Sequence, residues 1–124
     1  MRISKAALAA LFVAVSGQVQ ALNPDGFKVT STAHLLELCN IPADDPLYSA
    51  SMGFCLGYID AALDYHAALT AGENYNPITC PAAEVTREEV VVVVRDWAKG
   101  SPQHLGEHPV VGVMRAVSEK WPCN

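Results

Sequence analysis

Residues 52–69 run Met52-Gly53-Phe54-Cys55-Leu56-Gly57-Tyr58-Ile59-Asp60-Ala61-Ala62-Leu63-Asp64-Tyr65-His66-Ala67-Ala68-Leu69. Met52, Cys55, Leu56, Ile59, Ala62, Leu63, His66 and Leu69 recur at steps of three and four, the period of one helix face, while Asp60 and Asp64 fall elsewhere. Asp45-Pro46 offers this helix a start, with a carboxylate that can cap and a proline suited to the first helical position, and Gly72 offers it a stop. It is the longest helix expected in the chain.

Upstream, Ser31 or Thr32 can cap a short helix running through Leu35, Leu36 and Leu38 to Cys39, with Pro42 and Pro46 bounding the next loop. Downstream, the loop Glu73 to Thr79 leads to Cys80, and Thr86-Arg87-Glu88-Glu89 is a capping box that opens a third helix. The run Val90 to Val94 is strand-like by propensity, but Val90, Val93, Val94 and Trp97 fit a helical stripe ending at Gly100. Val91 and Val92 lie off that stripe, so they either widen the core face or leave an apolar patch for self-association or a partner. After a polar loop from Ser101 to His108, Pro109 opens a last helix with Val110, Val113, Met114, Val117 and Trp121 on one face, and Pro122 closes it. With no internal repeat, low-complexity tract or interdomain linker, the expectation is all-α: one compact four-helix domain over residues 31–124.

Residues 1–21 carry Arg2 and Lys5, an apolar run from Ala6 to Val15, and a small-residue ending Val19-Gln20-Ala21, the pattern of a cleaved export signal. Ten apolar residues fall short of the roughly 20 needed to span a bilayer, so no membrane anchor is expected after cleavage. Residues 22–30, with Asn23-Pro24-Asp25-Gly26, read as a flexible lead. Losing Arg2 and Lys5 leaves 6 basic against 13 acidic residues, a net charge of −7, which disfavours nucleic acid and anionic membranes as partners.

All four cysteines, Cys39, Cys55, Cys80 and Cys123, follow the export segment, and an even count in a short exported chain points to two intramolecular disulfides. If the third and fourth helices pack antiparallel, Cys80 comes beside Cys123, leaving Cys39 to clip the end of the first helix to Cys55 on the second. Loop-closure entropy assigns roughly 3 kcal/mol to the shorter link and about 4 kcal/mol to the longer. Zinc is the other use of four cysteines, but no close Cys-x-x-Cys pair is present.

Candidate chemistry is thin. His104-Leu105-Gly106-Glu107-His108 matches the His-x-x-Glu-His pattern of inverted zinc peptidases, yet Gly106 weakens the helix that pattern needs and Pro109 disfavours helical geometry at His108. His66 reads as a structural histidine on the apolar stripe rather than the base of a small hydrolase. Asp60 and Asp64 read as solvated helix-face charges. No catalytic residue, metal site or cofactor is expected. Gly53 and Gly57, extended by Ala50 and Ala61, make a small-residue strip expected to pack within the domain, with a subunit contact as the alternative, and either way bulk at Gly57 should hurt.

Cys55-Leu56-Gly57-Tyr58-Ile59 with Asp64, then Cys80-Pro81, Pro109 and the terminal Trp121-Pro122-Cys123, resembles the Tai/Rap-type immunity family over roughly residues 33–123. Ala61 stands where that pattern often has glycine. The resemblance implies a periplasmic all-helical protein, frequently a homodimer, that blocks a cell-wall amidase toxin delivered by type VI secretion by filling its active-site cleft with a loop and neighbouring helix. Of two candidate loops, Glu73 to Ile78 and Ser101 to His108, the first is expected to bind the partner through Glu73, Asn74, Tyr75 and Asn76, an aromatic anchor among adaptable polar neighbours. The alternative function is a small acid-activated periplasmic chaperone.

Overall fold

The computed structural model describes residues 24–124, and the segment read as an export signal lies outside them. Four helices follow in order, α1 (Thr32–Cys39), α2 (Tyr48–Thr70), α3 (Arg87–Gly100) and α4 (Pro109–Lys120), with no strand among the described residues. A single 3-10 turn, Pro24–Phe27, precedes them and sets the Phe27 ring 5.7 Å from Phe54 of α2.

Local chemistry starts each helix. Ser31 sits in extended backbone, and its hydroxyl accepts the His34 N–H at 3.2 Å, leaving Thr32 inside α1 and fully buried. Asp45 does not cap α2 as expected: its carboxylate accepts the Leu47 N–H at 2.8 Å and closes a separate turn, and α2 begins only at Tyr48, with no side-chain cap. At α3 both halves of the capping box form: Thr86 Oγ1 accepts the Glu89 N–H at 3.2 Å and Glu89 Oε2 accepts the Thr86 N–H at 2.7 Å. That start, with Val90, Val91, Val94 and Trp97 buried on one side, overrides the strand propensity of the valine run; Val91 widens the core face and Val92 is left 52% exposed. Pro109 occupies the first turn of α4 after an extended His108, the geometry a residue before proline prefers.

The core lies where all four helices meet: α1 packs on α2 and α4, and α3 packs on the same two. Leu35, Ile59, Val90, Val94, Val113 and Val117 fill it, each burial contributing about 1.5–3 kcal/mol before conformational entropy is set against it. Two disulfides frame this core. Cys39–Cys55 pins the end of α1 to α2, and Cys80–Cys123 joins the approach to α3 to the exit of α4, with Cα separations of 5.2 and 5.1 Å.

The small-residue strip of α2 does not pack inside the domain. The core line of this helix is Ser51, Cys55 and Ile59, and at 100° per residue Gly53 and Gly57 face the opposite way. Both are exposed, and a Cβ on either would meet no atom within 4 Å, so the close packing within the domain expected at Gly57 is overturned, and within the chain bulk there meets no obstacle. The close backbone approach is instead at Gly112 on α4, where a Cβ would overlap the side chain of Thr32 on α1.

Candidate functional site

From Ala71 to Ile78 every residue is exposed, including the expected partner-binding residues Glu73, Asn74, Tyr75 and Asn76. The feet of this arch are fixed. On the α2 side the Thr70 hydroxyl donates to the His66 carbonyl at 2.8 Å, and His66 Nε2 accepts the Ile78 N–H at 3.1 Å. The Nε2 lone pair takes this bond, so His66 acts as an anchor for the loop. On the far side Thr79 is buried, its hydroxyl reaching the carbonyls of Val117 at 2.9 Å and Trp121 at 3.1 Å. The Cys80 N–H bonds to the Trp121 carbonyl at 2.8 Å beside the Cys80–Cys123 disulfide.

The arch therefore presents side chains from a short, tethered backbone. Tyr75 is 63% exposed and Ile78 is 55% exposed. Beside Ile78, the residues Val110, Val111 and Met114 of α4 line an almost wholly apolar groove of about 270 Å³. Sequence reasoning counted Ile78 in the exposed loop without giving it a contact role, assigned nothing to Val111, and placed Val110 on the core face, where the structure leaves it exposed. A β-branched residue in an otherwise polar loop was the available signal. Burial pushes the Tyr58 hydroxyl pKa above its ordinary value, with the Val110 backbone opposing the shift.

The second candidate loop is bound into the fold. The first-turn N–H groups of α1 are satisfied by it, Thr32 donating to the Glu107 carbonyl at 2.8 Å and Ala33 to the Leu105 carbonyl at 2.9 Å. Glu107 also takes a two-point contact from Arg115 on α4, Nε to Oε2 at 2.7 Å and Nη2 to Oε1 at 3.1 Å, and meets His104 Nδ1 at 3.0 Å. The Arg115 guanidinium first, and His104 second, hold the Glu107 carboxyl below its usual range. His104 in turn stacks on Trp97 with ring centroids 6.1 Å apart. The His-x-x-Glu-His pattern is thus spent on docking a loop, and among the described residues no group of three or more His, Cys, Asp or Glu is placed to hold a metal ion. Asp60 is half-buried on α2, whereas Asp64 and Tyr65 are exposed.

Residues 31–123 match the family model of the Rap1a immunity proteins. No curated protein and no solved structure matches the chain.

Proposed function

The chain belongs to the Rap1a immunity protein family, and from that premise we propose that it is a periplasmic immunity protein that binds a peptidoglycan amidase toxin delivered by type VI secretion and occludes its active site. It acts by binding, without turnover. The supporting observation is the arch at 71–78, fully exposed yet held at both ends by His66, Thr79 and the Cys80–Cys123 link. A loop whose ends are already ordered loses less entropy on entering a cleft, so more of its contact energy appears as affinity. Tyr75 serves as the aromatic anchor, Asn74 and Asn76 as flanking hydrogen-bonding groups, and Glu73 as an acidic contact.

The export-type segment at residues 1–21 supports the periplasmic placement, and among the described residues no helix is long and apolar enough to cross a membrane. We further propose a homodimer, checked by light scattering of the purified mature chain.

The decisive experiment is binding and protection by the purified chain against any cysteine–histidine amidase encoded beside it. Tyr75→Ala is expected to weaken binding at least tenfold with an unchanged melting temperature. Absence of both binding and protection would sink the proposal. The exposed Ile78, Val110 and Val111 would also serve an acid-activated chaperone, which predicts that an apolar dye binds and client proteins are held only after acidification.

A further inference from the structure

The negative charge of this protein is unevenly spread. Seven carboxylates and no lysine or arginine lie between Lys28 and Arg87, whereas residues 87–124 carry five acidic and five basic side chains. Asp25 and Lys28 offset each other, so the net charge of −7 that remains without residues 1–21 falls wholly on the stretch forming α1, α2 and the arch at 71–78. Within that stretch the second half of α2 takes little part in the core: from Asp60 to Thr70 no residue is buried.

Between this half-helix and the far foot of the arch runs a groove of about 430 Å³. Leu63 and Ala67 of α2, with Pro77 and Pro81 of the loop, give it apolar walls. Its polar side chains are engaged by the fold, with one exception. Thr70 and Thr79 donate their hydroxyls to the carbonyls of His66 and Val117, His66 Nε2 takes the Ile78 N–H, and Cys80 is held in its disulfide. Asp64, which also lines the groove, is exposed and makes no ion pair or side-chain hydrogen bond among the described residues. No lysine or arginine lines the groove beside it.

Apolar walls around one accessible, unpaired carboxylate match a side chain with an aliphatic stem and a cationic head, the build of lysine and arginine. The stem covers the walls, and the head supplies the counter-charge that this stretch of chain does not contain. A purely apolar guest would strip water from Asp64 and return nothing, and an acidic one would be repelled. A second copy docking by the same face across a two-fold axis would set two cation-free surfaces against each other, which like charges oppose. An immunity protein requires a protein partner. The groove adjoins the arch proposed to meet that partner, because His66, Thr79 and Cys80 both line the groove and form the feet of the arch.

We infer that this groove receives a lysine or arginine side chain of the toxin, with its stem against Leu63, Ala67, Pro77 and Pro81 and its cationic head on the Asp64 carboxylate. The inference rests on the toxin reading above and adds to it a contact beside the arch.

The test compares affinities of the mature chain, disulfides intact, for the amidase that the parent chain binds. Asp64→Asn should weaken binding roughly tenfold and Asp64→Lys roughly a hundredfold, whereas Asp64→Glu, which keeps the charge, should stay within about threefold of the parent. Glu37→Gln removes the same charge from the exposed side of α1, outside the groove, and should change affinity by no more than about twofold. Added sodium chloride should weaken the parent more steeply than Asp64→Asn. Melting temperatures should match throughout, and if Asp64→Lys fails to fold, Asp64→Asn against Glu37→Gln gives the same discrimination. If no amidase binds the parent chain, the toxin reading and this inference fall together. If the parent binds and the Asp64 variants behave like Glu37→Gln, the toxin reading stands and this inference falls. Altered self-association of Asp64→Lys in light scattering, with amidase binding unchanged, would give the groove to a second copy and overturn the inference as well.

Discussion

The two loops that flank α3 are built on opposite principles. The α3–α4 loop carries the residues with the richest apparent chemistry, two histidines and a glutamate, and the fold uses its carbonyls and carboxylate to cap α1 and bind Arg115. The α2–α3 loop has plainer residues and exposes all of them from Ala71 to Ile78, held only at its feet. Chemical suggestiveness and availability are separate properties. A titratable group already satisfied by its own chain is a structural part, whereas a tyrosine and a few amides on a tethered arch remain free for a partner.

That contrast can be broken at several points, beginning with the largest expected effect. Replacing both Cys80 and Cys123 with alanine removes the covalent foot of the arch, whose closure spans 43 residues, and should cost about 4 kcal/mol by denaturant unfolding. With only the Thr79 and Cys80 hydrogen bonds left to hold that foot to the end of α4, the variant should also show faster amide exchange at Cys80→Ala than the parent chain does at Cys80.

Gly112→Ala is expected to come next. Its Cβ would overlap Thr32, which is fully buried and holds the α3–α4 loop, and overpacking against such a neighbour costs about 1–3 kcal/mol. The melting temperature should fall by roughly 5 °C or more. The same substitution that is severe here should leave the arch free to bind a partner at temperatures where the chain is still folded.

The Glu107 network adds a smaller, pH-dependent effect. Its carboxyl is held below the ordinary 4.5 by Arg115 and then His104, so the unfolded chain takes up the proton more readily than the folded one. The contribution is present above about pH 4.5 and is lost as pH falls through the depressed value. Glu107→Gln should therefore lower the melting temperature near neutrality and narrow its gap to the parent chain in acid. A gap that widens on acidification would refute this assignment.

The smallest effect is expected at Gly57→Ala. With open space around the new Cβ, the substitution should gain rather than lose stability, by about 0.5–1 kcal/mol, because alanine is the better helix former. Side by side, Gly57→Ala and Gly112→Ala make a clean pair: the same atom added to two helices, with opposite signs set by what lies opposite.

Much of this was readable from residue order. The capping box at Thr86 and Glu89, the cap at Ser31, Pro109 at the head of α4 and the three-four recurrence through Cys55 and Ile59 are all contacts or periodicities within a few positions of one another. The disulfide pairing followed from where those helices begin and end. The family resemblance, too, rests on residues in a fixed order, and the family match over residues 31–123 agrees with it.

What the sequence by itself determined, then, is four helices, their caps, two covalent links and a family. Only the tertiary structure decided which faces those helices turn to one another. Periodicity divides a helix into faces without saying what covers each, so Gly57 and Gly112 are equivalent in the chain and opposite in the fold. The bonds from α1 to Glu107 join residues 75 positions apart. Such facts arise from packing between distant segments, where no local rule of spacing reaches.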